Sequence, residues 1–489
     1  MSAYWILVPI FLPILWGALL GIFPIKNRRG REIYVFTGTF LTSAVIWLLL
    51  FFGSGTPVTI LNLAGTLAVK FHIDGCAKVF AGLISVLWPL ASLYGFEYME
   101  HEGHENAFFC LYTATYGVTA GICFAGNLMT MYLFYEMLTL ITIPLVMFSL
   151  DHKSVVAARK YMKYSIGGAA FAFIGFISIY TFGDNLDFVY GGILSGEAAE
   201  THRNFLLAVY VMAVFGFGVK AAIFPLHGWL PSASVAPTTV TALLHAVAVV
   251  KAGAFAIIRI TYYSFGCDFL RGTWAQYTVI LFAAFTIVFG SSKALKEQHC
   301  KRRLAYSTVS NLSYIIFAAA LMTPAGLTAA FTHMVFHGLM KITLFYCIGA
   351  VMVKTGRKYL WEMNGIGRKM PLVFVVYTIA GLALIGIPPL CGFVSKWYIA
   401  GAAVAEGSAF AKIGLGAVMI SALLTAAYIL ELVVRAWMPD KNAVPEDFSK
   451  AEPVGWRMKL PLVLLTAMII VFGLCSGPLT EFFASVSAL

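Results

Sequence analysis

Charge is what this sequence has least of. Only 11% of its 489 residues are Asp, Glu, Lys or Arg, against roughly a quarter in a soluble globular chain, while 60% are hydrophobic. Acids are scarcer than bases, 22 against 33, which leaves a formal net charge of +11, and the mean hydropathy is +0.86. A soluble fold is excluded, and no soluble domain fits between the apolar runs. The eight cysteines (Cys76, Cys110, Cys123, Cys267, Cys300, Cys347, Cys391, Cys475) include no C-x-x-C pair, so neither a metal cluster nor a disulfide framework is implied. Also missing are a Walker phosphate loop, a dinucleotide fingerprint, a metal-ligand motif and a Ser/His/Asp grouping at a loop end. The chain therefore offers no catalytic centre and calls for no cofactor or metal of its own; an intramembrane enzyme is the rival that these absences weaken. A positive balance suits nucleic acid only when the bases share one wetted face, and here they do not.

What remains is a succession of apolar runs, each about the 20 residues that a helix needs to cross a ~30 Å hydrocarbon core. Fourteen spans are expected, near 2–24, 32–52, 76–95, 107–124, 128–150, 161–182, 205–224, 237–262, 274–292, 303–322, 325–353, 371–399, 409–434 and 460–482. The predicted fold class is an all-α polytopic membrane protein. The first run carries Pro9 and Pro13, follows no basic n-region and shows no small-residue cleavage site, so it reads as a retained span rather than a signal peptide. The run 371–399, with Pro388 and Pro389 inside it, is long enough to be two half-helices.

The bases test this topology. Alternate loops, in clusters at 26–31, 153–163, 293–303, 354–369 and 435–459, hold 23 of the 33, Lys441 and Lys450 included. The opposite loops and helix ends hold Lys70, Lys78, Arg203, Arg259, Arg271 and Lys412. The positive-inside bias puts the larger set in the cytoplasm and both termini on the outer side of the cell membrane.

Four lysines are left inside the apolar runs: Lys220, Lys251, Lys341 and Lys396. An ammonium at the centre of a membrane helix costs roughly 2.5 to 3.5 kcal/mol, so each needs a neighbouring helix or a wetted cavity, and each marks a candidate site. In "FGFGVKAAIFPLHGWLP" Lys220 stands five residues before Pro225, whose missing amide hydrogen frees the carbonyl of Ala221. With Gly216 and Gly218 beside it, the helix is expected to open locally and bare its backbone to a polar, hydrated cavity. Glu136, in "YLFYEMLTLITIP", is the clearest buried acid and asks for a cation. Lys220 is its expected partner, either as a proton-loading switch or, more plainly, as an ion pair tying two helices together.

The second half repeats the pattern in "LALIGIPPLCGFVSKWYI", where Pro388 and Pro389 break a run that carries Lys396. Pro-interrupted spans in corresponding places of two halves point to inverted-repeat transporters with sites near the midplane. Lys396 lies near a helix end, so snorkelling to the interface is its plainer account. Between the breaks, "FTHMVFHGLMKITLF" sets His333, His337 and Lys341 at i, i+4 and i+8, one polar stripe about 12 Å long on one helix face. Imidazoles that titrate near neutrality suit a proton wire better than a metal, which would want further ligands; satisfied core histidines are the alternative. His245 and Lys251, six apart in "ALLHAVAVVKAGAF", face different sides of one helix and so different neighbours.

Five motifs in order, "YEMLTL", "VKAAIFPLHGWLPSASVAPTTVTALLHA", "KRRLAYSTVSNLSYI", "HMVFHGLMKITLFY" and "GIPPLCGFVSK", span roughly residues 70 to 435. Together they resemble the antiporter-like subunits shared by respiratory complex I, Mrp-type sodium/proton antiporters and membrane-bound hydrogenases. The "YEMLTL" form and the length are most similar to the Mrp D-type and hydrogenase-associated subunits. The chain ends soon after the fourteenth run, so the long lateral helix of one complex I member is not expected.

The resemblance implies two inverted five-helix repeats, 107–262 and 263–437, after an N-terminal unit 1–106 and before a cytoplasmic loop and last helix, 438–489. It further implies broken helices seven and twelve. By position it implies that Glu136 is the family's glutamate on helix five, Lys220 its lysine on helix seven, and Lys251 or His245 its connecting residue on helix eight. Lys396 matches the terminal lysine of helix twelve, which some members replace with glutamate. The implied partners are other membrane subunits, further antiporter-like subunits among them, with protons, sodium in the antiporters, and the lipid bilayer. The implied function is proton translocation along the buried Glu/Lys/His row, within an antiporter or as the pumping subunit of an oxidoreductase complex. The alternative is a membrane scaffold for redox subunits that moves no ions.

Overall fold

The structure, a computed structural model, describes residues 2–438 and 452–488; Lys441 and Lys450, counted above among the cytoplasmic bases, lie outside the described residues. The chain is 78% helical. Ten described helices are long and apolar enough to cross a membrane: Ala3–Ile22, Arg28–Phe52, Gly75–Tyr98, Leu128–Val146, His152–Phe182, Thr238–Phe265, Trp274–Lys296, Pro324–Thr355, Ala409–Trp437 and Trp456–Leu474. The runs expected at 107–124 and 303–322 form Glu105–Cys123 and Cys300–Ala320, whose many Thr, Tyr, Ser and Asn side chains are turned to protein instead of lipid.

Three departures from the expected pattern have local causes. The helix His152–Phe182 starts well before residue 161, because the Asp151 carboxylate caps it by accepting from the Ser154 amide at 2.8 Å and the basic first turns project beyond the apolar layer. The last run is two helices, Trp456–Leu474 and Gly477–Ser487, parted where Pro478 has no amide hydrogen to donate to the Leu474 carbonyl. Residues 58–71, read only as a connection, are a β-hairpin, Val58–Ala64 against Leu67–Phe71, turning at Gly65 with φ of 54°. Asn127 donates to the Ala68 carbonyl at 2.8 Å, which straps the hairpin to the start of the Leu128–Val146 helix, and Lys70 reaches Asp187 at 2.6 Å in the loop after His152–Phe182.

The helices are layered. Outer ones such as Ala3–Ile22 and Trp456–Leu474 bury about a third of their apolar window, 33% each, whereas Thr238–Phe265 and Pro324–Thr355 bury all of theirs. Over those windows protein encloses these two central helices, and they carry His245, Lys251, His333, His337 and Lys341.

Arg259, counted from sequence among the outer loops and helix ends, is fully buried. It makes a two-pronged pair with Asp74, one prong at 2.8 Å, inside a ring of Phe188, Phe255 and Tyr263. Asp74 also caps Gly75–Tyr98 by accepting from the Ala77 amide at 2.8 Å. Asp74→Asn keeps that cap but strands the guanidinium, and removing one partner of a buried pair costs about 3–5 kcal/mol. The purified protein carrying Asp74→Asn should therefore unfold at a clearly lower temperature, with Asp74→Ala lower still.

Candidate functional site

The first break lies between Arg203–Gly218 and the short helix Trp229–Ala233. The chain leaves the helix after Gly218, passes through Ala222 at φ of 56°, and turns at Pro225. Two of the backbone groups released here are claimed by side chains. The Trp229 indole donates to the Val219 carbonyl at 2.7 Å, and the Phe224 amide donates to Thr286 Oγ1 at 3.1 Å. Water was the expected partner for bared backbone; at these two groups the protein supplies it.

Lys220 opens the break and is buried, its ammonium donating to the main-chain carbonyl of Tyr135 and lying 3.3 Å from the centre of the Tyr135 ring. Glu136 is the next residue along that helix. The two charges act on one another electrostatically, but they form no ion pair, and Glu136 Oε1 is buried with no hydrogen-bond partner. The carbonyl that precedes Glu136 thus holds the ammonium that the carboxylate was expected to hold.

The wall behind Lys220 is Gly253, on the same helix as Lys251. A Cβ there would stand 2.9 Å from both the main-chain carbon and the Cβ of Lys220. Only a residue without a side chain allows this approach. Gly253→Val should cost about 1–3 kcal/mol by overpacking and push the Lys251 helix off the break, read as a lowered melting temperature of the purified protein, with Gly253→Ala falling between the two.

The centre of the site is where the two enclosed helices meet. Lys251 Nζ lies 2.6 Å from His337 Nδ1. The rings of His337 and His333 stack at 5.6 Å, and His333 Nδ1 lies 3.0 Å from Ser395 Oγ on the helix Cys391–Glu406. Lys341 donates to Ser307 Oγ at 2.6 Å, and Ser307 in turn lies 2.6 Å from the Tyr428 hydroxyl. His245 occupies a widened turn, Leu243–Val247, against the Phe345 ring and within electrostatic reach of Lys341. The three stations of the stripe thus address three different helices, and His245 and Lys251 face different stations.

The second break separates Pro371–Ile385 from Cys391–Glu406 and contains Pro388 and Pro389. Gly386 ends the first half at φ of 98°, a conformation that glycine adopts without strain. Lys396 turns back and donates to the last carbonyls of that half, Leu384 at 2.9 Å and Ile385 at 2.6 Å. Snorkelling does not describe it: a cation at a helix C-terminus meets unpaired carbonyls and the negative end of the dipole. Tyr314 stands between the two groups, edge-on to His333 at 5.1 Å and with its ring centre 5.6 Å from the Lys396 ammonium.

Tyr135, Ser307, Tyr314, Ser395 and Tyr428 carry no sequence signal of their own. Intramembrane hydroxyls commonly bond the carbonyl one turn back, as Thr115, Thr142 and Thr332 do here, so their presence does not mark the exceptions. A further feature unites the row. Glu136 Oε1, both His245 nitrogens, His333 Nε2, His337 Nε2 and Asn311 Oδ1 are buried without a hydrogen bond of good geometry. Each such group costs about 1–3 kcal/mol if left dry, and buried polar space of this kind is where ordered water resides. Among the described residues no carboxylate pairs with Lys251, Lys341 or Lys396.

Residues 125–425 match the family described as NADH:quinone oxidoreductase/Mrp antiporter, transmembrane. The chain is 30% identical over 414 residues to NADH-quinone oxidoreductase subunit N of Desulforudis audaxviator, covering 82% of this chain and 80% of that protein. It is 26% identical to a Na(+)/H(+) antiporter subunit of Bacillus subtilis over 96% of this chain and 93% of that one. Against Na(+)/H(+) antiporter subunit A1 of Staphylococcus haemolyticus, 28% identical, it is matched over 97% of its own length but spans only 61% of the longer relative. In fold it is similar to a chain of the Mrp complex from Dietzia sp. DQ12-45-1b, with a TM-score of 0.86 at 22% identity, covering 100% of this chain and 97% of that one.

Proposed function

Because this chain belongs to the NADH:quinone oxidoreductase/Mrp antiporter transmembrane family, we propose that it moves protons through the membrane along its buried row of bases, as the antiporter-like subunit of a multisubunit complex. Protons enter at the first break, where Lys220 and Glu136 form the loading station. They pass by Lys251 and His245 to His337 and His333, with Lys341 beside them, and leave near Lys396. Pro225, Pro388 and Pro389 interrupt the helices that hold the two ends of this path. The chain crosses the cell membrane fourteen times with both termini outside, and residues 107–262 and 263–437 are its two inverted five-helix repeats.

The observation that carries this reading is the 2.6 Å contact between Lys251 and His337, a hydrogen bond between two bases with no acid beside it. One of the two must be neutral to accept, so the bond defines a proton shared between helices. A low-dielectric interior does not hold a file of adjacent uncompensated cations. A proton arriving at one station therefore displaces the next. Tyr314, Ser395, Ser307 and Tyr428 position the stations and extend their reach.

Energy for net movement comes from partner subunits. Flavin or iron–sulfur in the natively purified complex would identify a redox-driven pump, and a set of colourless small membrane subunits an antiporter with sodium as counter-ion. The test of the row itself is ion movement by the intact complex in proteoliposomes. A complex that assembles with Lys220 and Lys251 both replaced yet still couples ion movement would leave only the scaffold role.

A further inference from the structure

Where the basic start of His152–Phe182 meets the first break, a cleft of about 740 Å³ opens between that helix, the turn at Pro225 and the start of Cys300–Ala320. His152, Lys153, Lys160 and Arg302 line it, and no carboxylate does so among the described residues. Lys160 is steadied by a hydrogen bond to Ser232 Oγ at 3.0 Å. Of the nearby acids, Asp151 caps its helix through the Ser154 amide at 2.8 Å and Glu297 pairs with Arg302 at 3.0 Å, which leaves Lys153 and Lys160 as the lining cations with no ion pair among the described residues. Other bases on this face are paired too, Arg28 and Arg457 with Glu32 and Glu100, and Arg303 with Glu431. The cleft is therefore a concave concentration of positive charge wanting an anion.

The remaining walls are not those of a site for a small hydrated anion. Val156 and Val235 are exposed on the lining, and beside them Phe224 packs on Phe285 at 4.7 Å and on Phe289 at 5.2 Å, with Phe285 open to the outside. His227 lies between the two regions, its ring edge-on to Phe289 at 4.8 Å and its Nδ1 buried without a partner. A basic recess between helices on the cytoplasmic side, bordered by an apolar wall that continues into the bilayer, matches both ends of one molecule. We propose that this cleft holds the phosphate of an anionic phospholipid of the inner leaflet, with an acyl chain laid along the Phe285 face. The leaflet assignment rests on the cytoplasmic orientation proposed above; the chemistry of the site does not.

The intact complex, exchanged into nanodiscs of equal parts phosphatidylglycerol and phosphatidylcholine and released into native mass spectrometry, should retain phosphatidylglycerol on this subunit. Lys153→Gln with Lys160→Gln should lower that retention several-fold without lowering the melting temperature of the complex. Val156→Trp, which fills the recess and leaves every charge in place, should do the same. Retention that is unchanged in both variants overturns the proposal, as does equal retention of phosphatidylcholine. Loss of the bound lipid in excess inorganic phosphate would make this a simple anion site, and cross-linking of a partner protein through Lys153 in the native complex would make it a protein interface; either result overturns it. Proton movement does not enter the readout, so the transport reading stands or falls separately.

Discussion

Lys220→Ala should abolish coupled ion movement by the reconstituted complex while leaving its subunits assembled. The ammonium is buried at the break and held by the Tyr135 carbonyl beside the unpartnered Glu136. Without it, a proton arriving at Glu136 has no base to take it onward toward Lys251. An ion forced across that gap meets a penalty of roughly 3 kcal/mol, the low end of the cost of a charge in the membrane interior, which lowers the rate on the order of a hundredfold. Lys220→Arg separates the two accounts of this residue. A guanidinium keeps the charge and the hydrogen bonds but does not release its proton, so Arg should leave assembly intact yet not restore transport. Transport recovered with Arg would mean that Lys220 acts only as a fixed charge, and the proton-station reading would be lost. The measurement is dye-reported pH change in proteoliposomes containing the whole complex.

The second large effect concerns the link between the halves. Lys251→Met or His337→Leu removes one side of the 2.6 Å contact, and either should reduce coupled ion movement by about tenfold or more, the cost of losing one hydrogen bond of about 1.5 kcal/mol to a charged group at a rate-limiting transfer. The sharper result is in the pair. Stations in series fail together, so the double variant should be no slower than the worse single one, a strongly non-additive outcome. Independent structural contributions would multiply instead, and a multiplied defect would remove the contact from the path.

Much of this was readable from residue types. The apolar runs gave the membrane class because length and hydropathy respond to bilayer thickness, a constraint that acts on every span alike. Lys220 and the His333, His337 and Lys341 stripe were visible because ionisable groups are rare in such runs. The partners were not visible. Lys396 turning onto the carbonyls of Leu384 and Ile385, or the Trp229 indole closing the gap at Val219, depends on three-dimensional direction after a break, and sequence spacing loses direction wherever the helix ends. The burial of Arg259 was hidden for the same reason. A count of bases by loop cannot see that Asp74, distant in the chain, meets it inside the protein. The hairpin at 58–71 was passed over because a connection between two spans is judged by its length, whereas its alternating Val, Ile, Leu and Thr residues were the cue.

The enclosure of the apolar cores of Thr238–Phe265 and Pro324–Thr355 sets what can influence the row. It is insulated like a cable core, and the outer helices act as its sheath. The dielectric around these side chains belongs to the fold and changes little with the surrounding bilayer, so on the proposed path control falls to the two broken ends.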